Sequence, residues 1–154
     1  VSVWSPHIIK EAGFVGAGSR RLPIVEVTIG EQSWRVLPVH LQAPTTKRFQ
    51  RAWDRQLSGL SLSLSRLPNI DIVCGDFNAA LTHWQMRRMV KKSDRRNALS
   101  PLTAQRTTWG PGGVYGAMAI DHMLVSNSVS VGDTKVVRIP GSDHKAIVAQ
   151  LSKS

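Results

Sequence analysis

The chain has 154 residues, 42% of them apolar and 19% charged, the length and composition of one globular domain, which excludes a disordered chain and a staple-dependent peptide. A single cysteine, Cys74, excludes an intramolecular disulfide and a thiolate zinc site, and no run approaches the roughly 20 apolar residues of a spanning helix, so no anchor or targeting signal is expected within these residues. Twenty Lys and Arg against ten Asp and Glu leave a formal charge of +10, which suits a polyanionic partner or, equally, a solvated basic surface.

Ile24–Ile29 and Arg35–Leu41 have the length and β-branched composition of strands, with Gly30-Glu31 as the turn between them. From Lys47 to Ser65, the residues Phe49, Trp53, Leu57, Leu60 and Leu64 recur at helical spacing, which predicts a helix with an inner apolar stripe and Arg48, Arg51 and Arg55 outside. After the Pro68-Asn69 turn, Ile70–Cys74 is a buried strand. Thr82-His83-Trp84-Gln85 has capping-box spacing and predicts a short helix fraying near Asn97. Trp84, Met86, Met89 and Val90 are its expected inner face, with Arg87, Arg88, Lys91, Lys92 and Arg95 pointing elsewhere. With Arg96, six of the twenty cations fall within ten residues, either a contact for nucleic-acid phosphates or a solvated helix face. Ser93–Met118 reads as a long loop region bordering a site. Strands follow at Ala119–Ser126, Lys135–Ile139 and Ala146–Leu151, so six strands and two helices predict an α/β (α+β) chain of sheets covered by helices.

The chemistry-bearing residues collect at strand ends. Ile70–Cys74 runs into Gly75-Asp76-Phe77-Asn78, where Asp76 and Asn78 share a side if the chain stays extended. A carboxylate and an amide oxygen suit a hard cation such as Mg²⁺, or position a water and a phosphate oxygen; the same pair is also an ordinary turn former. Asp121 interrupts the apolar run at Ile120, Asp143-His144 precedes the final strand, and His40 ends an earlier one. His122 falls on the opposite face from Asp121 and is read as structural; His7 and His83 have no comparable context.

Four motifs in order, Val39-His40-Leu41, Gly75-Asp76-Phe77-Asn78-Ala79, Ile120-Asp121-His122-Met123-Leu124-Val125-Ser126 and Gly141-Ser142-Asp143-His144, resemble those of the endonuclease/exonuclease/phosphatase superfamily, the DNase-I-like phosphoesterases. Thr108-Trp109 resembles a pattern of bacterial members, and Val3-Trp4-Ser5 the family's strand leading into Ser-x-His/Pro. The resemblance implies a four-layer αββα sandwich of two mostly antiparallel sheets, with the site where the loops of both sheets converge. It implies a metal site of Asp143, Asp76 and Asn78, holding Mg²⁺ or Mn²⁺. Asp76 would orient or deprotonate a water, and Asn78 would hold the phosphate or the metal shell. His144 would contact phosphate or move a proton, its tautomer fixed by Asp121. His40 would be a second histidine on the phosphate or leaving oxygen. Arg87, Arg88, Lys91 and Lys92 would meet substrate, while Trp109 would stack on it or simply pack.

The family's metal-binding Gln-Glu is absent, and Glu11, Glu26 and Glu31 stand in other contexts. Residues 1–154 are therefore expected to be the C-terminal part of one such domain, incomplete at its N-terminus, with the missing segment as a partner and with export or membrane tethering left open. The expected activity is a nuclease. Phosphatase action on a phosphorylated lipid or small molecule, and a non-catalytic basic module, are the alternatives.

Overall fold

A computed structural model describes residues 1–100, 107–110 and 117–153. Among the described residues eight strands and two helices follow one another in chain order: β1 (Ile8–Ala17), β2 (Arg20–Ile29), β3 (Gln32–His40), α1 (Lys47–Arg66), β4 (Ile72–Asp76), α2 (Trp84–Lys92), β5 (Arg95–Asn97), β6 (Asp121–Ser126), β7 (Val129–Arg138) and β8 (Lys145–Lys153). Six strands form one sheet in the order β1-β2-β3-β4-β6-β5, and β7 pairs with β8 in a second. Among the described strands only β3 and β4 pair in parallel, which requires the crossover that α1 supplies.

The predicted stripe of α1 is the element's cause. Trp53, Leu57, Leu60 and Leu64 are buried against the larger sheet, each fully buried leucine contributing about 2 kcal/mol of transfer free energy. Thr46 caps the helix, its hydroxyl accepting the Phe49 N–H. On the other face of the sheet, Val25, Val27, Trp34 and Val125 meet Val129, Val131 and Leu151 of the second sheet. Among the described residues the layers are thus helices, sheet and sheet, with the two sheets face to face as the family resemblance implies. Both helices cover the larger sheet, and the second sheet has two strands among the described residues. Among those residues no helix is long and apolar enough to cross a membrane.

Some elements differ from the sequence expectation. Strand β1 went unpredicted because a bulge between Glu11 and Phe14, where Gly13 takes φ 117°, reverses its inward set. Ala12 packs on the core before it, and Val15 and Ala17 after it. Strand β7 starts at Val129, six residues before the predicted Lys135. The capping box does not form: His83, not Thr82, is the N-cap of α2, with no side-chain cap bond. Trp84 is 56% exposed rather than inward.

The largest correction is Arg95. Instead of extending the basic face of α2 it is buried in β5, its guanidinium donating to the carbonyls of Ser93, Leu67 and Ile70 at 2.8, 3.0 and 2.9 Å. Burial lowers its pKa, opposed by Asp71 and Asp94. The predicted loop also contains β5, and its residues 101–106 and 111–116 lie outside the described chain.

Candidate active site

Sheet register brings the strand-end residues together. His40 pairs in register with Asp76 across the parallel β3–β4 pair, and Asp76 with Asp121 across the antiparallel β4–β6 pair. Three elements therefore deliver their polar ends to one edge of the larger sheet. Backbone bonds continue past the strands, from Leu41 N to Asp76 O and from Phe77 N to Ile120 O, at 3.0 Å each, so the turn beyond β4 is held on both sides.

Asn78 leaves the extended conformation, at φ 49°, and folds back on Asp76. Its backbone N–H donates to Asp76 Oδ1 at 2.7 Å, and its amide Nδ2 donates to Asp76 Oδ2 and to the Leu41 carbonyl, both at 3.0 Å. The pair thus forms a turn in which Asn78 orients the half-buried Asp76 carboxylate. His40 Nε2 stands 3.8 Å from Asp76 Oδ2 with 61% of its side chain exposed.

His144 precedes β8 and bonds through Nδ1 to Asp121 Oδ2 at 2.9 Å. Asp121 is itself set by Thr108, whose buried hydroxyl accepts the N–H groups of Ile120 and Asp121 at 3.0 Å each. In the sequence Thr108 stands out only as the neighbour of Trp109, and nothing in Gln105-Arg106-Thr107-Thr108-Trp109 signals this supporting role. Asp76, Asp121 and His144 each offer one ligand atom within 4.8 Å of the others.

Asp143 departs from its expected place. Its Oδ2 accepts the indole N–H of Trp109 at 3.0 Å, and it is outside the three-residue cluster, where Asp121 stands instead. Trp109 is half-buried and bridges in β fashion to Met118 and His144, so in this geometry its N–H fixes Asp143. An open cavity of about 250 Å³ lined by Arg138, Ser142, Asp143 and His144 adjoins this loop. His122 is buried as expected, packed on Phe77 with Nε2 2.7 Å from the Ala79 carbonyl. Arg87, Arg88, Lys91 and Lys92 are exposed on α2, in the helical layer rather than in the strand-end cluster.

The electrostatics suit a cation. Burial raises the Asp76 pKa, and the Asp121 charge adds to this, against the Asn78 N–H and the two histidines. For His144 burial acts downward, but the Asp121 bond and the charges of Asp121, Asp76 and Asp143 outweigh it and raise the pKa above 6.5. Two carboxylates crowded at one edge are relieved by positive charge between them, and their oxygens with the nearby imidazole are donors that could hold a divalent ion.

Protonated His144 contributes stability that is fully present below the ordinary histidine pKa and is lost as pH rises through the raised one. In Asp121→Asn, NMR titration of the His144 ring is expected to give a lower pKa than in the parent; an unmoved titration would break the pairing.

A family model described as the Endonuclease/Exonuclease/phosphatase family matches residues 3–144. No curated protein matches at a significant level. The fold is similar to that of an endonuclease/exonuclease/phosphatase from Beutenbergia cavernae (TM-score 0.69, 19% identity), covering 96% of this chain and 46% of that one. It is also similar to NExo, a 3' phosphatase from Neisseria bound to product DNA hairpin (TM-score 0.67, 15% identity, 96% of this chain and 73% of that one). A mannosyl-6-phosphatase of Bacteroides thetaiotaomicron matches with TM-score 0.58 and 19% identity over 86% of this chain and 56% of that one. At these identities the structural likeness establishes the fold, and the chain spans about half to three quarters of each relative's length.

Proposed function

For a chain that belongs to the Endonuclease/Exonuclease/phosphatase family of hydrolytic phosphoesterases, we propose a divalent-metal-dependent phosphodiesterase acting on nucleic acid. The observation that carries this reading is the convergence of Asp76, Asp121 and His144 on one sheet edge. A bound Mg²⁺ or Mn²⁺, held by Asp76 and Asp121 with Asn78 beside them, would supply positive charge to the phosphoryl oxygens. Asp76, fixed by both nitrogens of Asn78, orients the attacking water and takes its proton as the water oxygen bonds to phosphorus. The bond from phosphorus to the leaving oxygen then breaks, and that oxygen takes a proton from the histidine side of the site. His144, its tautomer set by Asp121, faces the phosphate with its other ring nitrogen, and His40 is exposed for the leaving oxygen.

Glu26 is engaged by Lys10 at 2.7 Å, and Glu11 belongs to the edge strand β1. Because the family's Gln-Glu is absent from these residues, we infer from the resemblance that a carboxylate outside them completes the donor set. The +10 charge and the DNA-bound relative favour nucleic acid; the mannosyl-6-phosphatase likeness favours a small phosphoester as the second reading. DNA and RNA oligonucleotides and p-nitrophenyl phosphate, each with Mg²⁺, with Mn²⁺ and with chelator, decide between them. Both this chain and a longer version with its flanking sequence are assayed. Chelator-sensitive oligonucleotide cleavage, faster in the longer chain, is the expected result. Hydrolysis confined to the small ester would replace the first reading with the second, and oligonucleotide cleavage indifferent to chelator would remove the metal.

A further inference from the structure

The chain's positive charge is not spread over the molecule. Helices α1 and α2 hold nine of the twenty cationic residues, Lys47, Arg48, Arg51, Arg55 and Arg66 on the first and Arg87, Arg88, Lys91 and Lys92 on the second, against one acid, Asp54. The helical layer thus carries +8 of the formal +10. All nine are exposed. Among the described residues the ion pairs lie elsewhere, at Lys10–Glu26, His40–Asp76, His144–Asp121 and Lys153–Asp71, and none uses a helical cation.

Bare, this face opposes its own helices. Arg51 and Arg55, Arg87 and Lys91, and Arg88 and Lys92 are like charges four residues apart, a spacing at which they repel. Lys47 and Arg48 sit in the first turn of α1, which has no acidic residue, at the positive end of the helix dipole. An anion laid on the layer relieves each of these repulsions.

We propose that the outer face of α1 and α2 is a docking surface for a nucleic-acid backbone, separate from the strand-end site and continuous with it at the start of α1. Continuity follows from the bonds that tie α1 to the turn bearing Asp76 and Asn78: the Trp53 indole donates to the Phe77 carbonyl at 2.9 Å, and the Gln42 N–H, one residue past the Leu41 carbonyl that Asn78 holds, donates to Gln56 Oε1 at 2.8 Å. Lys47, Arg48, Arg51 and Arg55 lie within the first nine residues of α1 and Arg66 at its far end, so its cations span a 20-residue helix about 30 Å long. That length matches a run of phosphates and far exceeds a small phosphoester. Between the helices lies a groove of about 210 Å³, lined by Ser58, Ser61, Ser65, Trp84, Arg88 and Lys92. It sets hydroxyl donors and two cations beside an indole that can pack on a sugar or base.

Six of the nine cations are arginines, whose planar forks match phosphate oxygens in pairs. A membrane surface fits less well. An interfacial helix turns its apolar face to the lipid, whereas here Trp53, Leu57, Leu60 and Leu64 of α1 and Met86 and Met89 of α2 face the core. Only Phe49, Leu62 and Trp84 remain as large apolar side chains exposed on the helices.

The proposal rests on the nucleic-acid reading of the site for the identity of the polyanion, and binding measured in chelator separates it from hydrolysis. Fluorescence anisotropy of a labelled DNA duplex, titrated over a range of salt with excess EDTA, gives the slope of log affinity against log salt. Arg51→Glu/Arg55→Glu and Arg87→Glu/Lys91→Glu are each expected to lower that slope by close to 2, about 0.9 for each phosphate that is no longer neutralised. Arg21→Glu/Lys135→Glu makes the same charge change on strands β2 and β7 and is expected to leave the slope unchanged. Glutamine versions of the helical pairs cover the case in which charge reversal unfolds a helix. Equal slopes in the helical and strand variants would overturn the proposal. So would helical variants that lose binding to anionic phospholipid vesicles while keeping it to DNA. DNA binding that obeys these rules in a chain that hydrolyses no oligonucleotide would uphold the docking surface and remove the activity.

Discussion

Asp76→Asn is expected to lower phosphodiester hydrolysis by about 10²- to 10⁴-fold, the span associated with losing a positioned general base, while the folded state is kept or strengthened. The substitution preserves shape, and its remaining carbonyl oxygen still accepts the Asn78 backbone N–H that Asp76 Oδ1 accepts at 2.7 Å, while the bond from Asn78 Nδ2 to Asp76 Oδ2 at 3.0 Å loses its acceptor. What vanishes is the charge and that one acceptor. In the parent, burial and the Asp121 charge hold the Asp76 pKa above its ordinary value. A carboxyl with a raised folded-state pKa is ionised at neutral pH against the fold's preference, so removing its charge does not cost stability. Activity and thermal midpoint should therefore move independently, the first collapsing and the second unchanged or higher. Hydrolysis within tenfold of the parent would remove Asp76 from the reaction. A parallel loss of activity and midpoint would reduce it to the turn former that its bonds to Asn78 also make it.

The turn at Asp76 and the place of its carboxylate at a strand end are both legible in the sequence, since a strand followed by Gly-Asp-x-Asn specifies a turn and a carboxylate at once. The same holds for Asp121 and His122, where alternation along a strand separates a site residue from a core one, and for α1, whose stripe is local. What escaped depends on contacts between distant residues. Arg95 and Arg87 look alike in a charge count, yet β5 pairing draws one beneath α1 and leaves the other in water. Asp143 and Asp121 are both carboxylates near a histidine. Which of them joins Asp76 is decided by β4–β6 register and by the Trp109 N–H, which engages Asp143. Strand β1 hides because one bulge exchanges its inner and outer residues midway.

Gly75→Ala is expected to damage fold and site together, for it stands where β3 and β4 are closest and where the backbone makes the turn that presents Asp76. Gly75 takes φ 134°, a conformation that L side chains rarely adopt. A Cβ built there would also run into the Val39 carbonyl, its register partner on the parallel strand. That obstacle is backbone, unlike a flexible side chain, so the clash is relieved only by moving β4 away from β3. Moving it shifts Asp76 against both His40 and Asp121, the two residues that register sets beside it. Backbone strain of about 1–3 kcal/mol and a displaced strand pair together give an expected loss of about 3 kcal/mol or more. For a chain of this size that lowers the melting midpoint by roughly 6–12 °C. Gly132→Ala is the matched comparison. Its Cβ would meet only the Gln150 side chain, at 3.4 Å, and its stability is expected to stay within about 0.5 kcal/mol of the parent. If calorimetry gives the two variants the same midpoint, the close approach of β3 and β4 does not hold in solution, and the placement of Asp76 beside His40 falls with it.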